Sequence, residues 1–323
     1  MTPELLPCKE RYPLLHLESG LVRLRSCPGG HTVWMWRDDP GDFAFGGNKV
    51  RFYEYLVPSI IRERPDVLLT VGSLYSNHIR VSASVASLLG IECHILITSD
   101  DPGEDYRSKR NNLSLAAAAG AKIVFAGSFA ALLKLDGYKK ELEAEGKKVF
   151  LVPNAGHSPG AVRAYAGVVA EAMARLDGYS VLPERIFLPC ASGTTAAGVA
   201  AGSAVLSSYG IAMPPVTVFA VGNTTRGAGR GITGLLSEAS AEISPFPSPV
   251  PAVEVLDCGK NDYGRPDEEL LKLRRETEKK DGVLLDPTYN INAFYGMTKY
   301  LENHPGASDV LYINTGGMCE QDF

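Results

Sequence analysis

One lysine in this chain stands in surroundings that favour covalent chemistry. Gly46 and Gly47 precede Asn48 and Lys49, and because neither glycine has a side chain, a flat ring could approach the backbone there. A lysine amine that its surroundings keep partly deprotonated forms a Schiff base with an aldehyde. The same four residues are also typical of a turn with a solvated lysine, so other motifs must decide between the two interpretations.

A second group of polar residues follows an apolar run. In order along the chain they are Tyr75, Ser76, Asn77 and His78, and Arg80 lies two residues further on. Ser76 fits the N-cap of a helix, with Asn77 and His78 in its first turn. The same side chains are also suited to hold a ligand at the end of a strand.

Small residues fill a third segment, 190–198, where an apolar run gives way to an alanine-rich stretch. Its central residues are Ser192, Gly193, Thr194, Thr195 and Ala196. Small side chains let successive backbone N–H groups point into one space, a helix start adds positive potential, and the threonines add hydroxyl donors. The segment therefore predicts a phosphate site, with a closely packed helix start as the alternative. It has neither the ending of a P-loop nor the spacing of a dinucleotide fingerprint.

Two loops late in the chain carry polar side chains that could reach a ring bound near the lysine. Tyr289 and Asn290 follow an Asp-Pro-Thr segment, and Thr315 precedes Gly316 and Gly317. Neither loop indicates a function by itself.

Short apolar runs alternate with helix-like stretches over most of the chain, and this alternation predicts parallel sheets built from βαβ units. The predicted strands are 67–72, 92–98, 122–127, 148–153, 185–190, 216–222 and 310–316. The helix-like stretches between them include 82–89, 112–119, 161–176 and 195–207. We expect loops at 227–231, which is rich in glycine, and at 245–251, which is rich in proline. Ligands of such sheets bind beyond the carboxyl ends of the strands, where most of these motifs lie.

Composition and charge exclude several classes of function. A chain of 323 residues, 45% of them hydrophobic, is long enough for two lobes with a sizeable core. The net charge of -5, without a basic cluster, disfavours nucleic acid and anionic membranes as partners. No apolar run approaches the roughly 18 residues of a membrane span, and charged residues interrupt the first twenty positions, where a secretory signal would need an apolar stretch.

The six cysteines are scattered, without a C-x-x-C pair. Zinc sites and disulfide frameworks are therefore poorly supported, and we expect no metal. Reduced thiols are typical of a cytoplasmic protein, which is the location that we expect.

Taken together and in this order, the motifs resemble the 1-aminocyclopropane-1-carboxylate deaminase / D-cysteine desulfhydrase family of fold-type II enzymes, which use pyridoxal 5′-phosphate (PLP). The matching residues are Gly46–Arg51 with Glu54, Tyr55 and Leu56, Ser76–His78 with Arg80, Ser192–Thr194 with Gly198, Asp286 and Pro287 with Tyr289, and Thr315–Gly317. They span nearly the whole chain in collinear order, and the first two motifs together are specific to this family.

The resemblance implies how the cofactor would be held. Lys49 would bind its aldehyde covalently and, once a substrate has displaced it, move the Cα proton. Asn77 would contact the ring hydroxyl, and the turn formed by Ser192, Gly193, Thr194, Thr195 and Ala196 would hold the phosphate. Asn290 or Thr315 would lie near the pyridine nitrogen.

The resemblance also implies a substrate side, where this chain departs from the family. Ser76 and His78 would lie near the substrate carboxylate, with Asn77 beside them, and Tyr289 would face the substrate. Tyr75 stands where the family usually has Gln, and His157 stands in a loop where relatives usually have small residues. Asn290 takes the place of the glutamate that follows the active-site tyrosine in the cyclopropane deaminases. These departures bear on the substrate and not on the cofactor.

The implied fold is α/β with two lobes, similar to the β subunit of tryptophan synthase, with parallel sheets flanked by helices. Residues 1–52 and 160–323 would form the large PLP-binding domain, and residues 53–159 the small domain. A homodimer is the usual state of the family.

The implied function is a PLP-dependent carbon–heteroatom lyase, which would remove a β-substituent such as a thiol and release a 2-oxo acid and ammonia. β-Replacement by a second nucleophile and opening of the cyclopropane amino acid are the alternatives among enzymes. A non-catalytic PLP-binding protein is the alternative from another class.

Overall fold

Two sheets organise the chain, whose computed structural model describes residues 10–39, 41–127, 130–260 and 263–317. The strands are β1 (Gly20–Arg23), β2 (Thr32–Arg37), β3 (Val67–Gly72), β4 (Glu92–Ile97), β5 (Lys122–Phe125), β6 (Val149–Leu151), β7 (Ile186–Cys190), β8 (Val216–Ala220), β9 (Val253–Asp257) and β10 (Asp309–Asn314). The six-stranded sheet has the order β1-β2-β10-β7-β8-β9, and the four-stranded sheet has the order β5-β4-β3-β6. We call these sheets, with the helices that cover them, the large lobe and the small lobe.

Helices cover both sheets. They are α1 (Asn48–Glu63), α2 (Asn77–Leu89), α3 (Glu104–Ser108), α4 (Asn112–Ala118), α5 (Ala130–Ala144), α6 (Pro159–Asp177), α7 (Thr194–Ser208), α8 (Thr225–Glu242), α9 (Glu268–Asp281) and α10 (Asn290–Asn303). Within the described ranges, no helix has the length and apolar character needed to cross a bilayer.

Parallel pairing sets the direction of the sheets. β10 lies between β2 and β7 and is parallel to both, and only β1 of the large sheet is antiparallel to its neighbour. All six residues of β3 are buried, as expected for a strand covered on both faces. The seven predicted strands are confirmed, and so is the α/β class. The sequence patterns missed β1, β2 and β9.

The predicted loop at 227–231 is wrong, because these residues lie inside α8. The helix forms despite its glycines because it packs against the turn that precedes α7. A Cβ on Gly231 would lie 2.5 Å from the carbonyl oxygen of Ser192, and a Cβ on Gly193 would lie 2.6 Å from the backbone nitrogen of Ile232. Gly193 and Gly231 therefore allow the backbone of α8 to lie close to the backbone of the turn before α7. The stretch 245–251 lies at the surface without a helix or strand, as predicted.

Helices α6 and α7 run parallel and pack closely against each other. Gly198 and Gly202 on α7 face Tyr165 and Val169 on α6, and a Cβ on either glycine would lie 2.5 Å from one of these side chains. The helices therefore approach more closely than larger side chains would permit, which fixes the first turn of α7 relative to the large sheet.

Candidate active site

The separated motifs meet in one pocket at the carboxyl ends of β3, β7 and β10. The predicted site residues that line it are Lys49, Ser76, Asn77, Ser192, Gly193, Thr194, Thr195, Ala196, Tyr289 and Thr315. Asn48, Ala155 and Cys190 also line it and were not predicted as site residues. Both lobes contribute to the wall, so the pocket lies between them.

Lys49 lies in the first turn of α1, and glycines bring its helix close to another loop. Gly47 has a φ of 89°, and a Cβ on Gly316 would lie 2.5 Å from the Gly47 Cα. The backbone nitrogen of Asn48 donates to the carbonyl oxygen of Thr315 at 2.9 Å. The start of α1 is thus joined to the loop that follows β10.

The amine of Lys49 points into the pocket and is held by a backbone oxygen. Its Nζ donates to the carbonyl oxygen of Ala155 at 3.0 Å, and Ala155 has a left-handed φ of 60°. Burial lowers the pKa of the Lys49 amine to about 7. The neutral, nucleophilic form of the amine is therefore accessible near neutral pH.

His78 does not line the pocket. It is fully buried, its Nε2 is 2.8 Å from Thr70 Oγ1, and its ring stacks on Tyr53. Burial, followed by the charge of Lys49, lowers its pKa to about 3. The ring is therefore neutral at physiological pH and packs against Thr70 and Tyr53.

His157 lies beside the loop that holds the lysine. Its Nε2 is buried and has no hydrogen-bond partner among the described residues. Burial and then the charge of Lys49 lower the pKa of His157 to about 4. The lysine amine bonds to Ala155, two residues before His157, and a Cβ on Gly156 would lie 3.7 Å from His78 Nδ1.

The start of α7 has the geometry of an anion site. Gly193 is its N-cap, with a φ of 95° and no side-chain cap, so the first N–H groups of the helix lack a side-chain acceptor. Hydroxyl groups join them, since Ser192 Oγ lies 3.2 Å from Thr194 Oγ1 and Asn48 Nδ2 donates to Thr195 Oγ1 at 3.1 Å. Backbone amides, hydroxyls and the helix dipole are the usual receptors of a phosphate group.

Ser76 and Asn77 begin α2 on the small-lobe side of the pocket. Ser76 Oγ accepts from the backbone nitrogen of His78 at 3.3 Å, as an N-cap does. Asn77 Oδ1 accepts from Arg80 Nη2 at 3.2 Å. The helix-cap interpretation and the ligand-site interpretation of this motif are thus compatible.

A cluster of tyrosines links the two lobes at the pocket. The hydroxyl groups of Tyr289 and Tyr263 lie 2.6 Å apart, and Tyr263 also reaches Ser73 Oγ at 3.0 Å. The ring of Tyr75 packs edge-on against Tyr263 and against Gly264, where a Cβ would lie 2.5 Å from the phenol ring. Tyr263 was not predicted as a site residue, because it follows β9, a strand that the sequence patterns did not indicate.

Asn290 is adjacent to the pocket but does not line it. Its side chain is fully buried, and its Nδ2 donates to Asp286 Oδ2 at 2.6 Å and to the carbonyl oxygen of Gly316 at 2.8 Å. Its Oδ1 accepts from the backbone nitrogen of Thr315 at 3.2 Å. Asn290 therefore holds the loop that presents Thr315, and the Thr315 side chain is the one that reaches the pocket.

Comparison with known proteins agrees with this geometry. The family model described as "Pyridoxal-phosphate dependent enzyme" matches residues 17–316. A putative 1-aminocyclopropane-1-carboxylate deaminase of Pyrococcus abyssi is 29% identical over 290 residues, which cover 90% of this chain and 85% of the relative. A D-cysteine desulfhydrase of Yersinia enterocolitica is 27% identical over 294 residues, covering 89% and 87%. A crystal structure titled as an ACC deaminase homologue has a TM-score of 0.84, with 26% identity and coverage of 99% and 96%.

Proposed function

The chain belongs to the pyridoxal-phosphate dependent enzyme family, and on that premise we propose that it is a lyase that breaks a carbon–heteroatom bond at the β-carbon of a small amino acid. The observation that carries this proposal is the meeting of Lys49, Asn77, the 192–196 turn and Tyr289 in one pocket. A nucleophilic amine, an anion site and polar contacts for a ring are the parts that this chemistry requires.

The residues of the pocket fit pyridoxal phosphate. We propose that Lys49 Nζ bonds to its aldehyde carbon, that the uncapped start of α7 holds its phosphate, and that Asn77 donates to its ring oxygen. The Thr315 hydroxyl is the proposed partner of the ring nitrogen, and Asn290 acts only through Thr315. The fit rests on an α7 N-terminus without a side-chain cap and on a lysine whose pKa burial lowers to about 7.

When bound, pyridoxal phosphate draws electrons away from the Cα of an amino acid attached to it, so that the Cα proton becomes acidic. Lys49 Nζ would remove that proton, since a neutral amine with a pKa near 7 is a suitable base. The Cβ–S bond would then break, with its electron pair leaving on sulfur. For cysteine and one water, the products are one pyruvate, one ammonia and one hydrogen sulfide.

The substrate side of the pocket is proposed to comprise Ser76, Asn77 and Tyr289, with Tyr75 and His157 around them. Ser76 would donate to the substrate carboxylate, and the Tyr289 hydroxyl, held by Tyr263 at 2.6 Å, would face the substrate. His78 would not contact the substrate, because it is fully buried and does not line the pocket. Its contribution would be to hold Ser76 and Asn77 in place.

We propose that elimination is favoured over cyclopropane opening because Thr315 would offer the ring nitrogen a neutral hydroxyl group. The Asp286 carboxylate accepts from the backbone nitrogens of Thr288, Tyr289 and Asn290, so it serves the start of α10. A ring nitrogen beside the Thr315 hydroxyl would then have a neutral neighbour, which does not hold a proton there by charge. Loss of a good leaving group tolerates this, because the leaving group takes the electrons, whereas ring opening offers no such outlet.

Product analysis tests the proposal. The purified protein would be incubated with D-cysteine, L-cysteine, β-chloroalanine, serine, O-acetylserine or the cyclopropane amino acid. Pyruvate with ammonia from the cysteine or chloroalanine samples is the expected result. A new amino acid that carries an added thiol or amine at its β-carbon, formed without pyruvate, would instead establish β-replacement.

We also propose that the protein is cytoplasmic and forms a homodimer. In each chain, residues 1–52 and 160–323 would form the large domain, and residues 53–159 the small domain. Free thiols at Cys27, Cys93, Cys190 and Cys258 support a reducing location. Tyr179 and Tyr209 are exposed just beyond α6 and α7, and we propose that they take part in the contact with a second copy. The mass in solution of the wild type and of Tyr209→Glu would test the dimer.

A further inference from the structure

The side chain of Asn77 is held in one orientation by Arg80. Nη2 of Arg80 donates to Asn77 Oδ1 at 3.2 Å, and the two residues are 1% and 8% exposed. A guanidinium donates hydrogen bonds and accepts none, so only the amide oxygen of Asn77 is able to face it. The Nδ2 group is therefore turned away from Arg80, and it lies 3.1 Å from the point that a Cβ of Gly317 would occupy.

We propose that Arg80 is a positioning residue that acts on the cofactor through Asn77, by fixing Asn77 Nδ2 as a donor toward the ring oxygen and strengthening that donor with its charge. The inference rests on the proposed contact of Asn77 with the ring oxygen. It does not depend on which amino acid is the substrate.

The guanidinium itself is fixed by a second asparagine. Nε of Arg80 donates to Asn112 Oδ1 at 2.9 Å, and Asn112 Nδ2 donates to the carbonyl oxygen of Tyr75 at 3.2 Å. Asn112 is 1% exposed. The charge of Arg80 is thus held in a buried, rigid position, where it is screened less than a surface charge.

The consequence is electrostatic. The two hydrogen bonds described above both go from Arg80 to neutral amide oxygens. A positive charge behind an amide polarises it and strengthens the hydrogen bond that the amide donates. A stronger donor favours the charged form of an acidic oxygen that accepts from it. The ring oxygen of the cofactor should therefore remain deprotonated to a lower pH than it would without Arg80.

Two substitutions separate orientation from charge. Arg80→Gln keeps an N–H donor for Asn77 Oδ1 and removes the charge, whereas Arg80→Lys keeps the charge and removes the planar fork. The measurements are the pH at which the visible absorption band of the bound cofactor changes and the Kd of the apoprotein for pyridoxal phosphate. In Arg80→Gln we expect the spectral transition to move upward by about 1 pH unit. In Arg80→Lys we expect a smaller shift and a Kd increase of about tenfold.

The same substitution in an Asn77→Ala background tests whether Arg80 acts through Asn77. With the amide gone, Arg80→Gln should move the transition no further, since two residues of one network are not additive. Arg185→Gln is the matched control. Arg185 precedes β7 at the end opposite the pocket and donates to Thr217 Oγ1, so its variant should keep the wild-type spectrum.

An unchanged transition in a folded Arg80→Gln variant would overturn the proposal, and so would an equal shift in the Asn77→Ala background. If Arg80→Gln does not fold, Arg80→Lys decides: wild-type values for both the transition and the Kd would overturn it. These measurements use no substrate. They therefore stand even if the lyase assay fails, and a lyase with an Arg80-independent spectrum would refute only this inference.

Discussion

Asp286 precedes α10, and its carboxylate accepts a hydrogen bond of 2.6 Å from the side-chain amide of Asn290, the first residue of that helix. The carboxylate also accepts three backbone N–H groups at the start of α10. The Asp286 carboxylate is thereby engaged in capping α10. Thr315, which lines the pocket, has a neutral hydroxyl as its polar group.

From this arrangement we expect β-elimination at a measurable rate and little or no opening of the cyclopropane amino acid. The physical reason is that a ring nitrogen without a charged partner is a weaker electron sink. The measurement is 2-oxobutanoate formed from the cyclopropane amino acid, compared with pyruvate formed from D- and L-cysteine by the same preparation. Robust release of 2-oxobutanoate would show that the neutral neighbour does not limit the reaction.

Attachment of the cofactor should depend on the pKa of Lys49. Only the neutral amine attacks an aldehyde, and burial lowers the Lys49 pKa from 10.5 to about 7. The rate at which the apoprotein binds pyridoxal phosphate should therefore rise up to about pH 7 and level off above it. An ordinary lysine, of which only roughly one in a few thousand is neutral at pH 7, would keep gaining rate up to about pH 10.

Replacement of Lys49 tests the same residue by a second route. Lys49→Ala should lose turnover by several orders of magnitude, since it removes both the anchor and the base. Borohydride should fix the cofactor to Lys49 in the wild type. Lys134, which also donates from Nζ to a backbone oxygen, is the matched control, and Lys134→Ala should keep activity. An adduct on any other lysine would contradict the assignment of the pocket.

The phosphate turn should be sensitive to a methyl group added on the neighbouring helix. In Gly231→Ala the new Cβ would lie 2.5 Å from the Ser192 carbonyl oxygen, so the turn must shift and cofactor affinity should fall. Gly234 lies on the same helix with no atom within 4 Å of a Cβ. Gly234→Ala should leave affinity unchanged and stabilise the helix by about 0.5–1 kcal/mol. Equal affinities in both variants would place the phosphate elsewhere.

The hydroxyl of Thr194 should contribute directly to cofactor binding. Thr194→Val removes a donor to a charged group, which is worth roughly 1.5–3 kcal/mol, so the Kd for pyridoxal phosphate should rise by about ten- to a hundred-fold. Thr233→Val is the control, because Thr233 is exposed and its hydroxyl bonds to its own helix. Titration of the two apoproteins, monitored by cofactor absorbance, would compare them. A wild-type Kd in Thr194→Val would remove this residue from the site.

Tyr75→Gln should change which amino acids are turned over while the cofactor stays bound. The phenol ring packs against Tyr263 and Gly264 at the lobe junction, and a shorter amide would leave room there. The kcat/KM values for a panel of amino acids, measured beside the visible spectrum, would separate the two effects. If neither kinetics nor substrate range changes, Tyr75 has only a packing role.

Much of the fold followed from local patterns, because buried parallel strands are continuous β-branched runs. The strands that escaped prediction lack this pattern for physical reasons. β9 carries Glu254 and Asp257 at the edge of its sheet, and β1 has only four residues and pairs antiparallel. β2 has β-branched residues only at Thr32 and Val33, and Trp34, Met35 and Trp36 follow them.

Residue types were sufficient to predict the site motifs. They were not sufficient to predict how these residues pack, because packing depends on segments that are distant in sequence. The glycines at 227–231 predicted a loop, because their purpose depends on the Ser192 carbonyl of another segment. His78 reads as a ligand-facing residue in sequence, yet its place behind the pocket is set by Thr70 on β3. Tyr263 has no local signal at all, and only the docking of the two lobes brings it to Tyr289.

The position of β10 bears on how the chain can be assembled during synthesis. Among the described strands β10 comes last in sequence, yet it lies in the interior of the large sheet between β2 and β7. The strands of the small lobe, in contrast, all fall between residues 67 and 151. As the ribosome extends the chain from its N-terminus, the small sheet can close while β2 still lacks its parallel neighbour. The nascent large lobe must therefore keep the facing edges of β2 and β7 unpaired until β10 has been synthesised, and unpaired strand edges favour aggregation.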